Sequence, residues 1–218
     1  MKNPYDEDYF VNGKQTGKSC YENYRWLPEL TYPLAFAVVN ELALKRVDKI
    51  LEFGCAHGYM LRCLHDFGFR VWGMDVSAYA LSQVVSGLKD KVRLLEGTVS
   101  DLDWQALGVD RYEWIISKDV FEHIPEVQLK LTLSALAEKG RNLYAIVPLG
   151  DLGDYRIKEY HEDPTHVIAE DEDWWSRMFE GCGWHILDFK HHVAGIKENW
   201  QQSCSTGNGF FKLKSKLA

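Results

Sequence analysis

From about residue 48 onward, strand-like and helix-like patterns alternate along the chain. Short apolar runs typical of strands occur at residues 50–53, 71–74, 92–95, 112–117 and 143–147. Segments with helical spacing of apolar residues separate most of these runs. Because parallel neighbouring strands need long crossover connections, the alternation predicts an α/β fold with a doubly wound, mostly parallel sheet covered by helices on both faces.

Apolar spacing and helix-end residues predict helices at residues 34–44, 60–67, 77–88, 125–139 and 171–181. The first is expected to be buried and to begin directly after Pro33, and Ser77 and Asp171 are candidate N-caps. Two further apolar runs, at residues 184–189 and 210–213, predict strands that pair antiparallel. We therefore expect a seven-stranded sheet with an antiparallel C-terminal edge hairpin.

Charge and composition narrow the classes of partner. The 218 residues include 25 Lys and Arg against 32 Asp and Glu, and the basic residues are scattered. Nucleic acid is an unlikely partner, because binding to phosphates needs a basic face. Apolar runs are too short to cross a bilayer and the first residues lack a signal-peptide core, so we expect a cytoplasmic protein without membrane contact. The five cysteines show no C-x-x-C spacing, which argues against a zinc knuckle or a disulfide framework.

The most informative segment is residues 50–59, where a strand passes through a turn at Gly54 into a helix. Turns of this kind bind nucleotides at the carboxyl end of the first strand of open α/β sheets, and Asp75 follows Gly54 by 21 residues, a spacing that suits a carboxylate on the ribose. A dinucleotide is disfavoured, because Ala56 replaces the middle glycine of the G-x-G-x-x-G run and Glu52 would face a pyrophosphate. The same carboxylate favours S-adenosylmethionine, whose sulfonium and ammonium groups are positive.

With these residues the chain resembles the class I S-adenosylmethionine-dependent methyltransferases over roughly residues 48–214. Residues 52–58 resemble the first motif of the family, residues 73–77 its second, and residues 113–125 its fourth-strand motif. The resemblance implies a Rossmann-like methyltransferase fold. It also implies that Gly54 and Gly58 shape the turn around the methionine part of the cofactor.

The resemblance implies that the following residues contact the cofactor: Glu52, Gly54, Cys55, Gly58, Tyr59, Asp75, Val76, Thr98, Val99, Asp101, Lys118 and Asp119. Within this set, Glu52 would reach the ammonium group through water, Asp75 would hold the ribose and Val76 would lie on the adenine. Family members often bind the adenine amine with an Asp directly after the glycine that follows the third strand. Thr98 stands there in this chain, so either Thr98 or Asp101 takes that role.

The acceptor is expected to be a small or sugar-like molecule methylated at oxygen, an inference from the negative charge and from family analogy. The candidate catalytic residues are His123, His161 and His166. The last two lie in the segment after the fifth strand, which has about 20 residues without clear periodicity and is predicted to form the acceptor pocket. Its other candidates for a general base are Tyr155, Glu159, Tyr160 and Asp163.

Aromatic residues near the N-terminus are predicted to cover that pocket: Tyr5, Tyr9, Phe10, Tyr21, Tyr24 and Trp26. Residues 1–46 would then form an arm and a helix over the active site, and residues 47–218 the S-adenosylmethionine-binding domain. No metal site is expected, because His161 and His166 lie five residues apart and lack a third ligand.

Three alternatives stay open from the sequence. The protein could bind S-adenosylmethionine without catalysing methyl transfer, or it could methylate a protein or an RNA. A nicotinamide-dependent oxidoreductase is the third, although Ala56 and Glu52 speak against it.

Overall fold

The computed structural model describes residues 3–99, 104 and 108–217. Within them the strands are β1 Lys49–Phe53, β2 Arg70–Asp75, β3 Val92–Leu94, β4 Tyr112–Lys118, β5 Gly140–Pro148, β6 Gly150–Asp151, β7 Asp154–Tyr155, β8 Trp184–Lys190 and β9 Asn208–Ser215. The helices are α1 Glu7–Val11, α2 Gly13–Thr16, α3 Pro28–Leu42, α4 Tyr59–Asp66, α5 Ala78–Gln83, α6 Glu126–Lys139, α7 Glu172–Gly181 and α8 Glu198–Ser203.

Seven strands form the central sheet in the order β3-β2-β1-β4-β5-β9-β8. The first five pair in parallel, and β9 pairs antiparallel with both β5 and β8. The predicted doubly wound sheet with an antiparallel C-terminal hairpin is confirmed. The chain builds outward from β1 in one direction and from β4 in the other, so a crevice opens at the carboxyl ends of these two strands, where α/β sheets bind ligands.

Each face of the sheet is buried under its own set of helices. Side chains alternate along a strand, so Ile50 packs with α3, α4 and α5, whereas Leu51 packs with α6 and α7 on the opposite face. Both side chains are fully buried. The near-continuous apolar character of β1 follows from burial on both faces.

The first predicted helix differs from the observed one at its start and in its burial. The helix α3 begins at Pro28 rather than after Pro33, because Pro28 occupies the first helical turn, where the missing N–H of proline costs no hydrogen bond. Pro33 lies inside the helix. Phe36 is 58% exposed, so the helix is only partly buried.

Two other segments also differ from the prediction. The helix that Ser77 caps ends at Gln83, and Leu88 reaches the core from a 3-10 turn at Ser86–Lys91 instead of from the same helix. The segment after β5, which was expected to lack regular structure, contains the small β6–β7 hairpin and a 3-10 turn at Lys158–Glu162. In the described part of the chain, no helix combines the length and the apolar character that crossing a bilayer requires.

Candidate functional site

A cavity of about 660 Å³ opens at the carboxyl ends of β1, β2 and β4. The predicted cofactor residues that line it are Glu52, Gly54, Cys55, Tyr59, Asp75, Val76, Thr98, Val99, Lys118 and Asp119. Gly58 is not among the lining residues; it is the N-cap of α4, in the left-handed conformation with φ +69°. Asp101 lies outside the described residues. The sequence motifs therefore converge on one space, although they are far apart in the chain.

The turn after β1 requires glycine at position 54 for two reasons. Its φ of +78° is unfavourable for any residue with a side chain, and an added Cβ would lie 2.3 Å from Cγ2 of Val120. Ala56, two residues later, also has a positive φ of +47°. The backbone N–H of Ala56 donates a 2.8 Å hydrogen bond to Oδ2 of Asp75, which ties the turn to the end of β2.

Glu52 places a carboxylate in the cavity with little compensation from the protein. Its side chain is only 8% exposed, and Oε2 has no hydrogen-bond partner among the described residues. Burial raises the pKa of Glu52 to about 8, the backbone N–H of Leu61 and the charge of Lys118 oppose this shift, and the charge of Asp75 adds to it. A cationic ligand beside Oε2 would offset the cost of ionising this group.

Asp75 is held rigidly at the end of β2. Its Oδ1 accepts a 2.8 Å hydrogen bond from the backbone N–H of Ser77, and its Oδ2 accepts the bond from Ala56. Burial raises the pKa of Asp75, and these backbone donors oppose the shift. Because each carboxylate oxygen has a further acceptor position, Asp75 can still accept hydrogen bonds from a ligand hydroxyl.

Lys118 and Asp119 form part of a half-buried ion cluster that the sequence analysis did not predict. Asp119 accepts a 2.5 Å hydrogen bond from Nζ of Lys118 and a second from Nζ of Lys197, which also donates to Oη of Tyr160 at 2.7 Å. Burial disfavours the charged form of Asp119, but the two ammonium groups outweigh it and lower its pKa below the usual value. No sequence signal places Lys197 here, because it lies on a connection between β8 and β9 that carries no recognisable motif.

Aromatic residues of the N-terminal segment also line the cavity: Tyr5, Tyr9, Phe10, Tyr21 and Tyr24. Trp26, which was predicted to join them, lies outside the cavity lining and packs its ring 4.5 Å from the guanidinium carbon of Arg62. Hydrogen bonds to the rest of the protein anchor the segment, among them the following two. Ser77 Oγ donates to the carbonyl of Tyr5 at 2.6 Å, and Tyr9 Oη donates to Oδ2 of Asp163 at 2.7 Å.

Of the three candidate catalytic histidines, only His123 lines the cavity. Burial lowers the pKa of His123 to about 4, and the neighbouring His166 adds to this effect. His166 lies behind it, with ring centroids 4.5 Å apart. His161 faces another surface, where its Nε2 accepts a 3.1 Å hydrogen bond from the backbone N–H of Tyr155.

The segment after β5 therefore does not form the pocket wall that the sequence predicted. None of the six candidates in that segment is among the cavity-lining residues. The physical reason is the position of Tyr9, which lines the cavity and bonds to Asp163, so the N-terminal segment lies between that loop and the cavity. The remaining wall comes from α3 and α6, for example through Leu30 and Gln128.

Comparison with known proteins places this geometry in a family. A family model described as a methyltransferase domain matches residues 28–192. A search of curated protein sequences found no match.

Solved structures show the same fold at low sequence identity. A Haloferax volcanii methyltransferase in complex with the Trm112 methyltransferase activator aligns with a TM-score of 0.65 and 15% identity, covering 86% of this chain and 90% of that chain. An S-adenosylmethionine-dependent methyltransferase from Clostridium acetobutylicum aligns with a TM-score of 0.62 and 14% identity, covering 86% and 91%. The [4+2]-cyclase SpnF aligns with a TM-score of 0.62 and 14% identity, covering 86% and 81%.

The family match spans most of the chain, and the buried carboxyl group of Glu52 beside the Gly54 turn suits the cationic cofactor of this family. The chain belongs to the class I S-adenosylmethionine-dependent methyltransferases.

Proposed function

We propose that the protein is an active enzyme that transfers the methyl group of S-adenosylmethionine to an oxygen atom of a small-molecule or sugar-like acceptor. The single observation that carries this proposal is the composition of the cavity, which is lined both by carboxylates and by tyrosines. When bound, the cofactor supplies an already activated methyl group. The protein's own contribution is to orient the two ligands and to exclude water.

The cofactor would contact the carboxylates of the cavity. Glu52 would face the positive amino-acid part and Asp75 the ribose, while Val76 and Thr98 would contact the adenine. Support comes from Oε2 of Glu52, which is buried and lacks a partner among the described residues. An unpaired buried carboxylate is costly, and a bound cation removes that cost.

The acceptor would lie against the tyrosines, between the N-terminal segment and α6. A cavity of about 660 Å³ lies within the usual range for one small-molecule site, so a cofactor that fills part of it leaves room only for a small acceptor. Tyrosine rings offer apolar contact area together with hydroxyl groups, a combination that suits a hydroxylated acceptor. His123 is the candidate catalytic residue that can contact the acceptor hydroxyl, because it lines this cavity.

Two of the structural neighbours bear on the alternatives to small-molecule methylation. SpnF is named as a cyclase, so this fold alone does not establish methyl transfer. The Haloferax volcanii methyltransferase forms a complex with an activator protein. A protein partner, as distinct from a protein acceptor, is therefore the second candidate for this chain.

The decisive experiment uses S-adenosylmethionine with a labelled methyl group and cell lysate separated into small-molecule, protein and RNA fractions. The proposal predicts label in the small-molecule fraction, and loss of this label with Asp75→Asn. Label in the protein or RNA fraction would replace the proposed acceptor class. Binding of the cofactor without any labelled product would favour the non-catalytic alternative.

A further inference from the structure

Three side chains that the sequence analysis did not group together meet at the cavity wall, which His123 lines: Glu122, His123 and His166. Their potential ligand atoms all lie within 4.8 Å of one another. The two histidines come from segments far apart in the chain. They are brought together because the backbone carbonyl of Glu122 accepts hydrogen bonds from the N–H groups of Val167 at 2.8 Å and Ile168 at 3.2 Å.

The hydrogen bonds of His123 and His166 fix which ring nitrogen can bind an ion. In both rings this is Nε2. His166 Nδ1 lies 2.7 Å from the carbonyl oxygen of Tyr160, which can only accept, so Nδ1 carries the proton. His123 Nδ1 lies 2.8 Å from Oγ1 of Thr165. Thr165 donates its own hydroxyl proton to Asp163 at 2.5 Å, so Thr165 accepts from His123. In the neutral form of each ring, Nε2 is therefore the acceptor nitrogen.

Glu122 adds a buried carboxyl group to the two histidines. Its side chain is fully buried, and neither Oε1 nor Oε2 has a hydrogen-bond partner among the described residues. With Glu122 ionised, three acceptors gather at one point without a proton donor between them. Either a proton on Glu122 or a metal cation between the three groups relieves the repulsion of their lone pairs.

We propose that Glu122, His123 and His166 bind a divalent transition-metal ion such as Zn²⁺. Two imidazole nitrogens and one carboxylate are a ligand set that transition metals accept, whereas Mg²⁺ and Ca²⁺ prefer oxygen ligands alone. Metal–ligand bonds of about 2.0–2.2 Å bring ligand atoms to about 3.5 Å apart, so small side-chain rotations close the site around an ion. The Nδ1 bonds to Thr165 and Tyr160 act as supporting contacts that orient the two rings.

An ion in this cluster would lie next to the cavity. His123 lines the cavity, so an ion on its Nε2 borders the space assigned to the acceptor. The ion would then hold the acceptor oxygen in place of the imidazole, a step that depends on the proposed methyltransferase function. Metal binding itself does not depend on it. The sequence analysis expected no metal because His161 and His166 lack a third ligand, whereas in the structure the partners of His166 are Glu122 and His123, from the turn after β4.

Metal-free full-length protein, prepared by chelation and dialysis, is titrated with Co²⁺ as the probe while its visible absorption is followed. We expect saturation at one Co²⁺ per chain. Glu122→Gln and His166→Ala should each weaken binding by at least about tenfold, as expected for a lost ligand. His161→Ala is the matched control, since it removes a histidine of the same loop outside the cluster, and it should bind as the unchanged protein does.

Failure of the unchanged protein to bind Co²⁺ stoichiometrically would overturn the site, as would undiminished binding in both ligand variants. Circular dichroism and binding of S-adenosylhomocysteine show whether each variant is folded. If Glu122→Gln does not fold, His166→Ala alone decides, because His166 is less buried than Glu122. Binding of Co²⁺ without binding of S-adenosylhomocysteine would leave the metal site standing and refute the proposed function.

Discussion

The phenol hydroxyl of Tyr9 donates a 2.7 Å hydrogen bond to Oδ2 of Asp163, and both side chains are buried. This bond connects the N-terminal segment to the loop after β5. Asp163 also holds the hydroxyl of Thr165, which in turn positions His123. One carboxylate therefore links the aromatic cover of the cavity to the histidine in its wall.

Replacing Tyr9 by Phe removes that bond and leaves Oδ2 of Asp163 buried without its donor. We expect Tyr9→Phe to lower the free energy of unfolding by about 1–3 kcal/mol, the usual cost of an unsatisfied buried polar atom. Urea unfolding measures it. The matched control is Tyr32→Phe, because Tyr32 makes a similar 2.6 Å bond to Asp66 at an exposed position. Equal effects of the two substitutions would show that the Tyr9 bond does not anchor the segment.

The side chain of Ser77 makes two hydrogen bonds, one of them to the N-terminal segment. Its Oγ accepts the N–H of Ala80 at 2.9 Å as the N-cap of α5 and donates to the carbonyl of Tyr5 at 2.6 Å. We expect Ser77→Ala to cost about 1 kcal/mol of stability through the lost cap and to speed proteolysis of the N-terminal segment. Ser82→Ala, in the same helix, removes an exposed bond to Tyr79 and serves as control. Unchanged proteolysis in Ser77→Ala would contradict this role.

The raised pKa of Glu52 predicts that the stability of the ligand-free protein falls as the pH rises. Its pKa rises from 4.5 to about 8 on folding, so the folded protein binds the extra proton between these values. Stability from this group is therefore fully present below about pH 4.5 and is lost as the pH rises towards 8, at up to about 1.4 kcal/mol per pH unit. Glu52→Gln removes this share of the dependence.

Urea unfolding of both proteins at intervals between pH 5 and pH 8 checks this. The stability of Glu52→Gln relative to the unchanged protein should increase steadily with pH across that range. The exposed Glu159→Gln is the control and should show a constant difference. A pH-independent difference for Glu52→Gln would mean that Glu52 is not held in its neutral form in the ligand-free protein.

Most of the fold was predictable from the sequence because its signals are local. Apolar runs give the strands, and the Ser77 and Asp171 side chains cap the helices that they were expected to begin. The start of α3 was mispredicted because Pro28 and Pro33 both suit a first helical turn, and only tertiary packing selects between them.

The site was predictable only in part, for a related reason. The carboxylates at the ends of β1 and β2 follow from motif and spacing, since parallel strands end at the same edge of the sheet. The contact between His123 and His166 cannot be read from motif or spacing. His166 reaches His123 through a loop whose path depends on backbone hydrogen bonds to Glu122. The sequence likewise gave no sign that Tyr9 would separate that loop from the cavity.

The measurement that tests the central claim most directly is calorimetric titration with S-adenosylhomocysteine. We expect one binding site per chain, weakened at least about tenfold by Asp75→Asn, because a lost hydrogen bond to a charged group costs roughly 1.5–3 kcal/mol. Asp90→Asn, at an exposed carboxylate, should bind as the unchanged protein does. Absence of binding to the unchanged protein, or equal affinity in Asp75→Asn, would contradict the assignment of this cavity to the cofactor.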